Sequence, residues 1–151
     1  TTEGGLDMIG QKKNLKDTIK KIQDVGIPVS LFINPNIMDV DISKEIGADM
    51  VEIHTGLYAH AKGKKQEKEL HMVIEAVKVG NKLGLLVNAG HGLNYFNIKN
   101  IAAIEGIRGL YIGHSIISRA VLVGIERAVR EMKELIGSTS SSIIKYTKVI
   151  K

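Results

Sequence analysis

At 151 residues, 44% of them hydrophobic, the chain is long enough for one globular domain, with a core of Ile, Val, Leu, Ala and Met because aromatics reach only 4% and Trp is absent. The lack of Cys excludes disulfides, thiolate chemistry and Cys-bearing zinc sites, and it fits a reducing, cytoplasmic setting. A net charge of +5, with lysines gathered at 12–21, 62–68 and 145–151 but not interleaved with Arg and stacking aromatics, argues for solvated helix faces over nucleic acid and favours anionic small molecules.

No apolar run approaches the roughly 18–20 residues of a membrane span, and no charged-then-apolar leader opens the chain, so neither membrane association nor targeting is expected. The opening "TTEGGLDMIG" (1–10) is polar, Gly-rich and without an initial Met, which reads as entry into the middle of a loop and hence as a fragment.

Leu15, Ile19 and Ile22, at i, i+4 and i+7, predict a first helix, and "IPVSLFIN" (27–34) a first buried strand. "DMVEIHTG" (49–56) predicts a second strand, with Glu52 and His54 on one face and Ile53 on the other. Leu70, Val73, Ile74 and Val77 predict a helix, followed by strands at "LGLLVNAG" (83–90) and "RGLYIGH" (108–114). Ile117, Val121, Ala128, Met132 and Leu135 stripe one long last helix. Gly26, Gly47, Gly84 and Gly106 each stand between a helical run and a strand, where a helix terminus needs positive φ. The alternation defines an α/β fold with a parallel sheet or part of a barrel; since closure of this class takes eight strands, four imply half of one. The strand edges at 27–34 and 108–114 then require cover, by self-association or by a partner. The segment "STSSSIIKYTKVIK" (138–151) breaks the pattern and reads as a flexible or non-native tail.

In parallel α/β architectures ligands bind at the carboxyl ends of the strands. Glu52 and His54, Asn88 with Gly90-His91-Gly92, and Gly113-His114 fall there. A Gly beside His lets backbone approach a ligand, and the free N–H groups at a helix start suit phosphate. Glu52, a carboxylate within an apolar strand, is costly unless functional; the duller reading is an inward charge paired with Lys. His91 reads as a catalytic or binding residue rather than a loop cap, and His114 stands open between a site role and a structural one. His54 reads as a satisfied core histidine rather than a group supporting the site, and His60 and His71 are given no role. With no H-x-x-x-H pair, P-loop or G-x-G-x-x-G, neither a metal nor a nucleotide is expected.

Five stretches in this order, "TTEGGLD" (1–7), "VSLFI" (29–33), "EIHTGLY" (52–58), "VNAGHGLNY" (87–95) and "IGHSIISRAV" (112–121), resemble the carboxyl-terminal part of the pyridoxine 5′-phosphate synthase family, over residues 1 to about 137. The resemblance implies a (β/α)8 TIM barrel, of which residues 1–137 are the C-terminal half. It also implies a vitamin B6 biosynthesis enzyme that condenses 1-deoxy-D-xylulose 5-phosphate with 3-amino-2-oxopropyl phosphate and closes the pyridine ring. No metal or organic cofactor is implied, and the assembly is a homo-oligomer, an octamer. By the same resemblance Thr1 contacts the deoxyxylulose phosphate, Glu52 stabilises a transition state and His91 donates a proton. Gly92, Gly113 and His114 contact the amino-ketone phosphate. The family's first half supplies a catalytic His, a catalytic Glu and a phosphate-binding Arg, and no segment here matches those motifs. The chain alone is therefore expected to be inactive, with the N-terminal half-barrel as its missing partner.

Two other readings of the residues stay open: a different phosphosugar-handling barrel enzyme, and a non-catalytic half-barrel that serves assembly. A Schiff-base aldolase would want a Lys within a strand, and the predicted strands have none.

Overall fold

The computed structural model describes residues 4–139; Thr1 and most of the Ser-rich tail lie outside the described residues. The elements in chain order are α1 (Lys12–Gln23), β1 (Ser30–Ile33), α2 (Ile37–Glu45), β2 (Met50–His54), α3 (Gly56–His60), α4 (Lys64–Lys82), β3 (Leu86–Gly90), α5 (Ile98–Ala102), β4 (Gly109–Tyr111), α6 (His114–Val123) and α7 (Ile125–Gly137). The strands form one parallel sheet in the order β1-β2-β3-β4, each next to its neighbour in sequence.

All four strands fall inside the predicted ranges and are shorter than them. Pro28 has no N–H to give to a ladder, and pairing starts only at Ser30. Before β3, the N–H groups of Gly84 and Leu85 bond back to Asn81 and Gly80, so the first residues of the predicted strand finish α4 instead. The helix-to-strand glycines behave as expected, with φ of 82° at Gly26, 89° at Gly47, 74° at Gly84 and 92° at Gly106.

Alternation splits the sheet into two unlike faces. Leu31, Ile33, Val51, Ile53, Val87 and Ala89 are buried on one of them, together with Ile19, Val40, Val73, Val77, Ile98, Ile101 and Met132 from the helices, and this layer is the core. The opposite face carries Phe32, Glu52, Asn88 and Gly109 in one paired row. Leu86 and Tyr111, on that same face, are 48% and 51% exposed. Among the described residues this face is only partly covered: Asn88 and His54 are buried and Phe32 and Glu52 half-buried, whereas a parallel sheet ordinarily has both faces packed.

The last predicted helix is two. Gly124, at φ 82° and ψ 153°, ends α6 and begins α7. Arg119 grips Glu131 with two guanidinium N–H groups, at 2.9 and 3.2 Å. Twelve residues of straight helix would set those two about 18 Å apart along the axis, so the break is what lets them meet. Arg119, joined by Arg127, holds the Glu131 carboxyl down at about 2. The break also corrects the predicted stripe: Ala128 and Met132 are buried as expected, whereas Ile117 and Val121 are 61% and 81% exposed.

Candidate functional site

The carboxyl ends of the strands surround an open cleft of about 1170 Å³, lined by Glu52, His91, Gly92, Gly113 and His114 together with Phe32, His60, Asn94, Tyr111 and Ser115. Among the described residues, every predicted site residue reaches this one cleft. Thr1 lies outside the described residues.

Glu52 stands at the centre of the open face, between Phe32 on β1 and Asn88 on β3. Its carboxylate lies over Gly90, where a Cβ would overlap Oε1. Burial pushes the Glu52 carboxyl above the usual carboxylate range. A group whose pKa is raised by folding favours the folded state below its unfolded pKa and loses that contribution as pH rises through the folded value. Glu52→Gln is therefore expected to melt higher than the unmodified chain at neutral pH, with the difference shrinking as pH falls toward the ordinary carboxylate value of about 4.5 and absent below it. Thermal melts across that range check it, and a difference that grew toward acid pH would contradict it.

His54 departs from its expected role. It is buried, but neither ring nitrogen has a hydrogen-bond partner, so it is not a satisfied core histidine. Its ring centroid lies 4.9 Å from that of His91 and 5.2 Å, edge to face, from Phe32. Burial, with added repulsion from His91 and His60, holds its pKa below the ordinary imidazole value and keeps it neutral. Asn88 Nδ2, also buried and without a partner, lies in the same row as Glu52.

The stretch from Gly90 to Asn97 is a stitched loop. His91 sits at φ 78°, the one non-glycine residue among those described with positive φ, a conformation that costs an ordinary L-residue roughly 1–2 kcal/mol. Gly92 follows at φ 73°, where a Cβ would lie 2.7 Å from Ala59 Cβ. Asn97 accepts from the Asn94 N–H at 2.8 Å and donates to Gly92 O at 3.1 Å, while the buried Tyr58 donates its hydroxyl to Asn97 O at 2.8 Å. Ser115 Oγ donates to Leu93 O at 2.9 Å, which ties this loop to the start of α6.

That start is Gly113, which caps α6 without a side-chain hydrogen bond. The first backbone N–H groups of the helix are therefore left to whatever enters the cleft beside His114 and Ser115.

His60, given no role from sequence, also lines the cleft, with Nδ1 2.7 Å from Gly56 O. The signal was present in "HTGLYAH": a short helix that starts at the end of β2 carries its fifth residue only one turn from the strand end. Among the described residues no group of three or more His, Cys, Asp or Glu is placed to hold a metal ion, and no helix is long and apolar enough to cross a membrane.

A parallel α/β sheet with imidazoles, a partly buried carboxylate and an uncapped helix start at its carboxyl edge defines a class of small-molecule α/β domain. The chain belongs to the family described as "Pyridoxal phosphate biosynthesis protein PdxJ", which it matches over residues 1–138. It is 67% identical over 136 residues to the pyridoxine 5′-phosphate synthase of Thermodesulfovibrio yellowstonii, covering 90% of this chain and 56% of that protein. To the protein of the same name from Syntrophotalea carbinolica it is 59% identical over 138 residues, 91% of this chain and 58% of that one. The chain thus spans somewhat over half the length of these curated relatives. Among solved structures, a chain of "Crystal structure of Amycolatopsis orientalis BexX/CysO complex" superposes with a TM-score of 0.53 at 10% identity, covering 91% of this chain and 55% of that one, a likeness of fold alone.

Proposed function

We propose that residues 1–137 form the C-terminal half of a (β/α)8 TIM barrel that makes pyridoxine 5′-phosphate in the cytoplasm. The substrates are 1-deoxy-D-xylulose 5-phosphate and 3-amino-2-oxopropyl phosphate, and the products are pyridoxine 5′-phosphate, phosphate and water. Convergence of Glu52, His91, Gly92, Gly113 and His114 on one cleft of a PdxJ-family chain carries this reading. The exposure of Leu86 and Tyr111 on the sheet face opposite the core supports a further set of strands over it.

The chemistry sets the division of labour. An amine attacks a ketone and a first water leaves, phosphate is expelled, and the ring closes with loss of a second water, so protons move repeatedly near neutral pH. His91 donates a proton, the task for which imidazole is the commonest side chain. Ionised Glu52 stabilises the cationic iminium. The N–H groups at the start of α6, with His114 and the exposed backbone of Gly92, hold the phosphate of the amino-ketone. Thr1 contacts the deoxyxylulose phosphate. No metal or organic cofactor enters these steps, and the working assembly is a homo-oligomer, an octamer.

Joined to the part of its relatives that it does not span, the chain is expected to release pyridoxine 5′-phosphate and inorganic phosphate from the two substrates. The 151-residue chain alone is expected to release neither. Turnover by the chain alone at roughly 1 per second, or even a hundredfold slower, would refute the half-site reading, and a completed protein without product would refute the activity.

A further inference from the structure

Thr55 follows β2 directly and is fully buried. As the N-cap of α3 it would ordinarily accept an N–H from the first turn of its own helix, yet it makes no such bond. Its hydroxyl is turned instead toward the neighbouring strand end, 2.7 Å from Gly90 O and 2.7 Å from His91 O. Its own N–H donates to Gly90 O at 2.8 Å.

Those two carbonyls belong to the peptide planes on either side of the His91 α-carbon. φ and ψ are the two rotations that relate those planes, so holding the two planes against each other restricts both angles together. The direction of the Cα–Cβ bond, and so of the imidazole, follows from both. His91 is also the residue held at φ 78°, a conformation that its own side chain disfavours. One buried hydroxyl therefore spans the two planes that define the strained residue. Local strain of this kind persists only where the surroundings over-determine it.

We infer that Thr55 is a positioning residue: its hydroxyl, shared between Gly90 O and His91 O, locks His91 in the left-handed conformation that aims the imidazole into the cleft. The functional half of this inference rests on His91 being the proton donor of the proposed reaction; the geometric half does not.

The geometry is tested in the isotopically labelled 151-residue chain by NMR. Positive φ brings the amide and α protons of one residue close, so His91 is expected to show a strong intraresidue HN–Hα cross-peak. Thr55→Val keeps the β-branched shape without the hydroxyl and is expected to weaken that cross-peak. Thr55→Ser, which keeps the hydroxyl, is expected to retain it. Thr55→Cys, near Ser in size but a weak donor, is expected to follow Val, and this pair repeats the comparison with less change of shape.

In the completed protein, Thr55→Val is expected to lower kcat about 10²-fold through a misaimed imidazole, with KM unchanged and Ser restoring turnover. An unaltered His91 cross-peak in both the Val and Cys variants would overturn the inference. So would a fall in kcat that Ser fails to rescue. If Thr55→Val moves His91 while His91→Asn leaves kcat intact, positioning by Thr55 stands and the proton-donor reading is the one that fails.

Discussion

Replacing His91 with Asn in the completed protein is expected to lower kcat by about 10²–10⁴-fold, the usual cost of losing a positioned acid or base. The substitution suits the site in every other respect. Asn is among the few residues that adopt positive φ readily, so a backbone at φ 78° is preserved. The amide also keeps part of the size and hydrogen-bonding capacity of imidazole but cannot shuttle protons at neutral pH. Loss of turnover would therefore report proton transfer and not collapse of the loop. His114→Asn is the natural contrast. His114 begins α6 beside the uncapped Gly113, so its loss is expected to raise KM for the amino-ketone phosphate with a smaller effect on kcat. Wild-type kcat in His91→Asn, with both substrates saturating, would return the histidine to the role of a loop residue.

Gly90→Ala is expected to leave the chain folded and to lower kcat by about 10²-fold, the loss typical of removing one electrostatic stabiliser. The new methyl would overlap Glu52 Oε1 and lie 3.0 Å from Tyr111 Cβ and 3.1 Å from Tyr111 O. A carboxylate at the end of a flexible side chain yields more easily than backbone, and the two Tyr111 atoms, on the strand paired with Gly90, need give by only a few tenths of an ångström. Stability is thus expected to fall by about 1 kcal/mol, the mild end of overpacking effects, while Glu52 is pushed off its position. A double-mutant cycle separates displacement from general damage. Once Glu52→Gln has removed the charge, adding Gly90→Ala is expected to cost little more turnover. Fully additive losses would mean that the methyl acts by some route other than Glu52.

The observed elements explain why some features were legible and others were not. A Gly between an apolar helix stripe and a β-branched run is a local signal, and all four such glycines turned out to have positive φ. Period two placed Glu52 and His54 on one face for equally local reasons. The long last helix failed because an isolated Gly inside a periodic stretch is compatible with a continuous helix. The break at Gly124 brings Arg119 to Glu131, a partnership across two elements that no local pattern displays. His54 was misjudged for a related reason: whether a buried imidazole finds a partner depends on its neighbours across the sheet, here the rings of Phe32 and His91.

By itself the sequence determined the α/β alternation, the presence and order of the four strands, and the gathering of Glu52, His91, Gly92, Gly113 and His114 at one edge, because each follows from side-chain period and from what glycine alone can do. Tertiary structure alone decided the handedness of His91, the buried Thr55 hydroxyl beside it, the inclusion of His60 in the cleft and the exposure of Leu86 and Tyr111 on the face opposite the core. Those features arise from hydrogen bonds and packing between residues distant in the chain. Thr55 and His91, 36 positions apart, meet only because β2 and β3 pair in a register that sets His54 beside Gly90.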